Sequence, residues 1–253
     1  MFPLRDDNPT RRTPVVTMAV IVLNVLVWVL FQRAGVDERF LLSLCGGGAI
    51  PADLTGGLGP GAMISLGGNY SCEVGGLGWG TVLTSMFMHG SWMHLLGNMW
   101  FLWIFGNNIE DSMGRGRFVV FYLLSGLLAT VAHVLSDPSS AVPTVGASGA
   151  ISGVMGAYLL LYPRVRVHTL FVFVVLVRVF ALPAWVVLAE WIVIQLFSGF
   201  ASLGATGGGV AFWAHIGGFA AGLVLIKLFA KPELVNTFRT QPRTAPARFS
   251  RWA

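Results

Sequence analysis

Charge is scarce in this chain of 253 residues: Asp, Glu, Lys and Arg together make up 11% of it, against about 25% in an ordinary soluble domain. With 55% hydrophobic residues and a mean hydropathy of +0.73, that scarcity excludes a water-solvated globule and indicates a polytopic membrane protein. Cysteine is also rare: Cys45 and Cys72 are the only two, and their sequence positions leave a disulfide and two free thiols equally open. There is no HExxH segment, and neither Asp53 nor Asp137 lies within an apolar run, so zinc-dependent and aspartyl chemistries inside a membrane lack their residues. No glycine loop followed by lysine offers a phosphate site, and neither a metal nor a cofactor is assigned.

What is present is a set of apolar stretches. Measured against the ~20 residues needed to cross a hydrocarbon core, six qualify as candidates: Val15 to Phe31, Ser91 to Phe105, Phe118 to Leu135, Ser148 to Tyr162, Pro183 to Phe200 and Val210 to Leu228. The first is followed by Gln32-Arg33-Ala34-Gly35, which offers no small-x-small cleavage site, so it reads as an uncleaved anchor. Arg178 interrupts the stretch before Pro183, and Pro183 suits a helix start, leaving residues 164–180 as an interfacial connection. The expected fold is an all-α bundle of six transmembrane helices over residues 15–230. A cytoplasmic arm precedes it at 1–14, a long external loop occupies 33–90, and a disordered basic tail follows at 231–253.

Positive charge orients the bundle. With both termini inside, Arg115, Arg117, Arg164, Arg166, Arg178 and the six basic residues from Lys227 to Arg251 are cytoplasmic, while Arg33 and Arg39 fall outside. The net charge of +5 is then explained by topology and by anionic lipid, so the bilayer is the expected partner and nucleic acid is not. Localisation is read as the inner membrane of a bacterial cell.

In that orientation the even-numbered spans begin at the outer face, and their first turns hold the unusual polar residues. His94 and Asn98 share one face of span two, Ser148 opens span four and His215 lies near the start of span six. Span four is short, which predicts that Ser148 lies below the surface in a wet recess. Gly149, Gly153 and Gly156 on span four, and Gly218 and Gly222 on span six, allow the two backbones to approach closely. An imidazole can take the proton of a serine hydroxyl during attack on a peptide carbonyl, and Asn98, His94 and the Ser148 N–H can donate to the oxyanion. No carboxylate stands near either residue in sequence, so a dyad without a third member is expected.

These residues resemble the rhomboid family of intramembrane serine proteases. His89 to Asn98 is similar to the family's HxxxxHxxxN segment, Gly146 to Gly149 to its GxSG, and Ala214-His215-x-x-Gly218-x-x-x-Gly222 to its AHxxGxxxG. The resemblance implies Ser148 as nucleophile, His215 as general base, and His94 with Asn98 as oxyanion partners. It further implies transmembrane-protein substrates and a part for span five in their entry. Some members carry an aromatic residue four positions after the serine, where this chain has Ser152. The alternative from another class is a non-catalytic rhomboid-like protein that binds transmembrane helices. His89 is expected to organise its loop, and His133 and His168 have no catalytic assignment. Glu190, inside span five, is read as a packing carboxyl in preference to a gating one.

Overall fold

The apolar runs become helices whose ends are set by glycine, proline and borrowed caps. The computed structural model describes residues 1–59, 61–67, 70–173, 176–203 and 210–239, with 67, 176 and 236–239 described as backbone only. A strand β1 (Phe2–Asp6) leads into α1 (Val15–Leu26), which continues as a π-helical turn over Val27–Phe31. The long loop is itself built from α2 (Glu38–Gly47), α3 (Pro51–Leu54), β2 (Met63–Gly67), β3 (Tyr70–Glu73) and α4 (Thr81–Ser85). Then come α5 (Trp92–Met113), α6 (Arg115–Ser136), α7 (Ser148–Leu161), β4 (Arg166–Phe173), β5 (Leu176–Pro183), α8 (Ala184–Ala201), α9 (Phe212–Phe229) and α10 (Pro232–Arg239). The expectation of a disordered tail falls mainly on residues 240–253, outside the described residues.

Among the described residues, α6, α8 and α9 are each long and apolar enough to cross a membrane, whereas α1 with its π turn and α7 are shorter apolar helices. Large apolar side chains such as Leu30, Trp103, Phe197 and Leu228 face outward, as a hydrocarbon surround requires. The protein is an integral membrane protein, mostly helical.

The all-α expectation needs correction. Residues read as an interfacial connection form the antiparallel pair β4–β5, and β1 adds to β4 to complete a three-stranded sheet in the order β1-β4-β5. The physical reason lies in composition. Val167 to Phe173 and Val177 to Phe180 are rich in β-branched and aromatic residues, and pairing satisfies backbone groups that a loose interfacial loop would leave open.

At the core of the bundle sits α7, in which every residue from Gly149 to Tyr158 is buried. Its glycines meet those of α9: a Cβ at Gly218 would strike the Gly149 carbonyl oxygen, one at Gly222 the Gly153 carbonyl, and one at Gly156 the Phe219 carbonyl. The two backbones thus touch along one seam. At the far end of α7 the Tyr158 hydroxyl donates to the Asp6 carboxyl, tying the helix to β1. The amino end of α1 has no cap of its own and uses the Glu110 carboxylate of α5, which accepts from Val16 N–H at 3.1 Å, Thr17 N–H at 2.8 Å and the Thr17 hydroxyl at 2.8 Å.

Candidate active site

The loop before α7 presents Ser148. Thr144 forms a two-way backbone bridge with Ala49, and Gly146 N–H donates to Ser85 O at 2.9 Å, so the turn is held by the long loop and α4. The long loop is in turn clamped by a disulfide between Cys45 and Cys72, which resolves the alternative left open by the sequence. Gly146 adopts φ 131°, and a Cβ there would lie 2.7 Å from His94 Nε2 and 3.5 Å from Ser148 Oγ. Only glycine meets both conditions, and its absent side chain lets the His94 ring stand beside the serine turn.

Ser148 is the first residue of α7, at the positive end of the helix dipole. Its Oγ lies 2.8 Å from His215 Nε2. The close α7–α9 seam described above brings this pair together, and both side chains are half-buried rather than sealed. A small cavity adjoins Ser148, lined among others by Ser85, Thr130, Thr144 and Gly146. His133, which had no evident partner in sequence, pairs through Nε2 with the Thr144 hydroxyl at 2.9 Å.

His94 and Asn98 lie on α5, whose amino end is capped by Ser91 Oγ accepting from His94 N–H at 3.1 Å. Asn98 is buried, and its Nδ2 donates to His89 Nε2 at 3.1 Å. His89 is held in place by Gln32, which accepts from His89 N–H at 2.7 Å and donates to His89 O at 2.9 Å. Burial drives the His89 imidazole down to about 3, with repulsion from His94 adding to the shift, so the ring stays neutral and can accept from Asn98. In the sequence alone His89 is a loop residue and Gln32 carries no assignment. The signal available was the pair of polar residues flanking apolar runs, but nothing in their spacing reveals that Gln32, His89 and Asn98 form one chain.

Two further contacts reach His215 from α8. His215 Nδ1 and Gln195 Oε1 are 2.7 Å apart, and the Trp191 ring lies over the imidazole with centroids 5.7 Å apart at an interplanar angle of 38°. The sequence offered no carboxylate near Ser148 or His215, and the side chain that stands beside His215 Nδ1 is a carboxamide. Aromatic cover comes from α8 instead of from the position of Ser152, whose Oγ donates to the Ser148 carbonyl at 2.6 Å. Glu190, the other polar residue noted on α8, receives the terminal ammonium of Met1 at 3.2 Å.

A family profile described as Rhomboid domain matches residues 77–232, more than half of the chain and all of the residues just placed except Met1, Gln32, Cys45, Ala49 and Cys72. The rhomboid protease GluP of Bacillus subtilis (strain 168) is 30% identical over 155 residues, 61% of this chain and 27% of the relative. The putative rhomboid protease YdcA of the same organism is 33% identical over 90 residues, 36% of this chain and 45% of the relative. The chloroplastic rhomboid-like protein 11 of Arabidopsis thaliana is 40% identical over 75 residues, 30% and 26% of the two chains. These matches span from about a quarter to under half of the relatives' own lengths. The chain belongs to the rhomboid family.

Proposed function

We propose that this protein is an intramembrane serine endopeptidase that cleaves transmembrane-helix substrates near the outer face of its membrane. The observation that carries the reading is the 2.8 Å contact between Ser148 Oγ and His215 Nε2, in a family whose relatives include named proteases. A serine hydroxyl is a weak nucleophile until a base takes its proton, and a neutral imidazole with a free Nε2 lone pair is suited to do so.

In this mechanism Ser148 Oγ attacks the scissile carbonyl as His215 Nε2 takes the hydroxyl proton. Negative charge grows on the carbonyl oxygen and is met by the Ser148 N–H at the start of α7, the Asn98 amide and the His94 ring. His215 then returns the proton to the departing amine, leaving an acyl-enzyme. Water reaches it through the half-buried recess beside Ser148, with His215 again acting as base. The neutral His89 supports the Asn98 role, because it occupies one amide hydrogen and leaves the other to donate.

The same reading takes α1 with its π turn, α5, α6, α7, α8 and α9 as the six membrane crossings, with both termini on the cytoplasmic side of a bacterial inner membrane. The sheet-side arginines and the basic tail then lie on the cytoplasmic face. Purified protein reconstituted in liposomes with a helical membrane substrate tests the activity. Wild type is expected to cleave, Ser148→Ala and His215→Ala to lose cleavage while still inserting, and Asn98→Ala to keep a residual rate. Equal behaviour of all four proteins would leave the non-catalytic helix-binding alternative in its place.

A further inference from the structure

The proposed reaction makes a demand on His215 that no part of the mechanism so far meets. For Nε2 to accept the serine proton, the neutral ring must carry its hydrogen on Nδ1, and an unassisted imidazole is free to populate the other tautomer or to rotate. Gln195 answers that demand. Its Oε1 is 2.7 Å from Nδ1, and the residue is only 8% exposed, so water does not compete strongly for the bond. Trp191, one helical turn before it, covers the ring face and also packs against Phe219 of α9 with centroids 6.1 Å apart.

We propose that Gln195 is the positioning residue of the Ser148–His215 pair, fixing the imidazole tautomer through its side-chain carbonyl while Trp191 fixes the plane of the ring. The assignment rests on the proposed hydrolase reading. A neutral acceptor suits this site, because a fixed carboxylate beside His215 would have to be desolvated between α8 and α9. The titratable neighbours acting on His215 among the described residues are the imidazoles of His94 on α5 and His133 on α6.

The placement also links the base to one helix. The buried positions of α8 are Ala184, Val187, Leu188, Gln195 and Gly199, a narrow stripe, while Trp185, Val193, Ile194 and Phe197 face outward. Gly199 brings α8 onto Phe212, Trp213 and Ile216 of α9, one turn beyond Gln195. Gln195 and Trp191 thus reach His215 from the same helix, α8.

The test compares kcat, KM and the pH profile of cleavage for wild type, Ser148→Ala, Gln195→Met and Gln195→Glu in liposomes, with nitrogen-15 histidine spectra in micelles. Gln195→Met preserves size but cannot accept the bond. It is expected to lower kcat by about 10- to 100-fold with KM within about twofold, and to turn the single His215 Nδ1–H signal into a mixture of tautomers. Gln195→Glu restores an acceptor, and is expected to recover most of the rate and to move the acid limb of the profile to higher pH by about one unit or more. Unchanged kcat and an unchanged tautomer in Gln195→Met overturn the assignment, as does a loss confined to KM or to thermal stability. If wild type cleaves no better than Ser148→Ala, the hydrolase reading fails instead, and the histidine spectra still decide whether Gln195 sets the tautomer.

Discussion

Gly222→Ala is the sharpest perturbation of the seam that joins the two halves of the site. A methyl group at this position falls inside the contact distance of the Gly153 carbonyl oxygen, a backbone atom that no rotamer change can move aside. Restoring van der Waals contact requires α7 and α9 to part by roughly 1 Å. Ser148 and His215 lie on the same two helices, about one and two turns from the contact, so their 2.8 Å hydrogen bond would stretch towards ~3.8 Å, beyond useful length. Overpacking of this kind costs about 1–3 kcal/mol of stability, and a 1 Å misplacement of reacting groups costs ~10²-fold in rate. The assay is turnover of a helical substrate in liposomes beside thermal unfolding in detergent. Gly116→Ala serves as the control, because a Cβ there meets nothing within 4 Å. Gly222→Ala turning over within about twofold of wild type would show that the seam does not set the site geometry.

Other consequences lie further from Ser148. Glu110→Ala removes the acceptor of three hydrogen bonds at the start of α1, leaving buried N–H groups unpaired, and should destabilise the protein by about 2–4 kcal/mol while Glu110→Gln costs less; equal melting of both variants and wild type would remove α5 as the cap of α1. Burial raises the Asp6 carboxyl to about 7, with the Tyr158 hydrogen bond opposing the shift. A folded-state pKa above the unfolded one means that the docked arm is most favoured below about pH 4 and loses that advantage as pH rises to about 7. The full shift corresponds to about 4 kcal/mol, and partial exposure of the carboxyl reduces this to ~2 kcal/mol. Asp6→Asn, which keeps an acceptor for Tyr158 without titrating, should therefore melt progressively above wild type between pH 4 and pH 7, and a pH-independent difference would contradict the Asp6 assignment.

Much of the helical architecture was legible in the sequence because it is dictated by solvent. Apolar runs in a bilayer have few alternatives to helix, and glycine at helical spacing marks where two of them touch, as Gly153 and Gly222 do. Ser148 and His215 stood out because a hydroxyl and an imidazole recur at corresponding positions of apolar runs with characteristic neighbours. The strand pairing of Phe2–Asp6 with Arg166–Phe173 was not legible, since its partners are more than 150 residues apart and both read locally as short irregular segments. Gln195 was hidden for another reason. It is a neutral side chain within an apolar run whose one charged residue, Glu190, draws attention first, and its meaning comes only from the way α8 crosses α9. Gln32 and His89 likewise acquire a role through a contact spanning 57 residues, which no local pattern encodes.

If His215 makes Ser148 nucleophilic, covalent trapping reads that activation without any knowledge of the physiological substrate. Reconstituted protein is treated with a fluorophosphonate, and the modified peptide is located by mass spectrometry while the rate of modification is followed for wild type and His215→Ala. A single adduct on Ser148 is expected, forming at least ~10²-fold faster in wild type than in His215→Ala. An adduct on another serine, or equal rates in the two proteins, would contradict it.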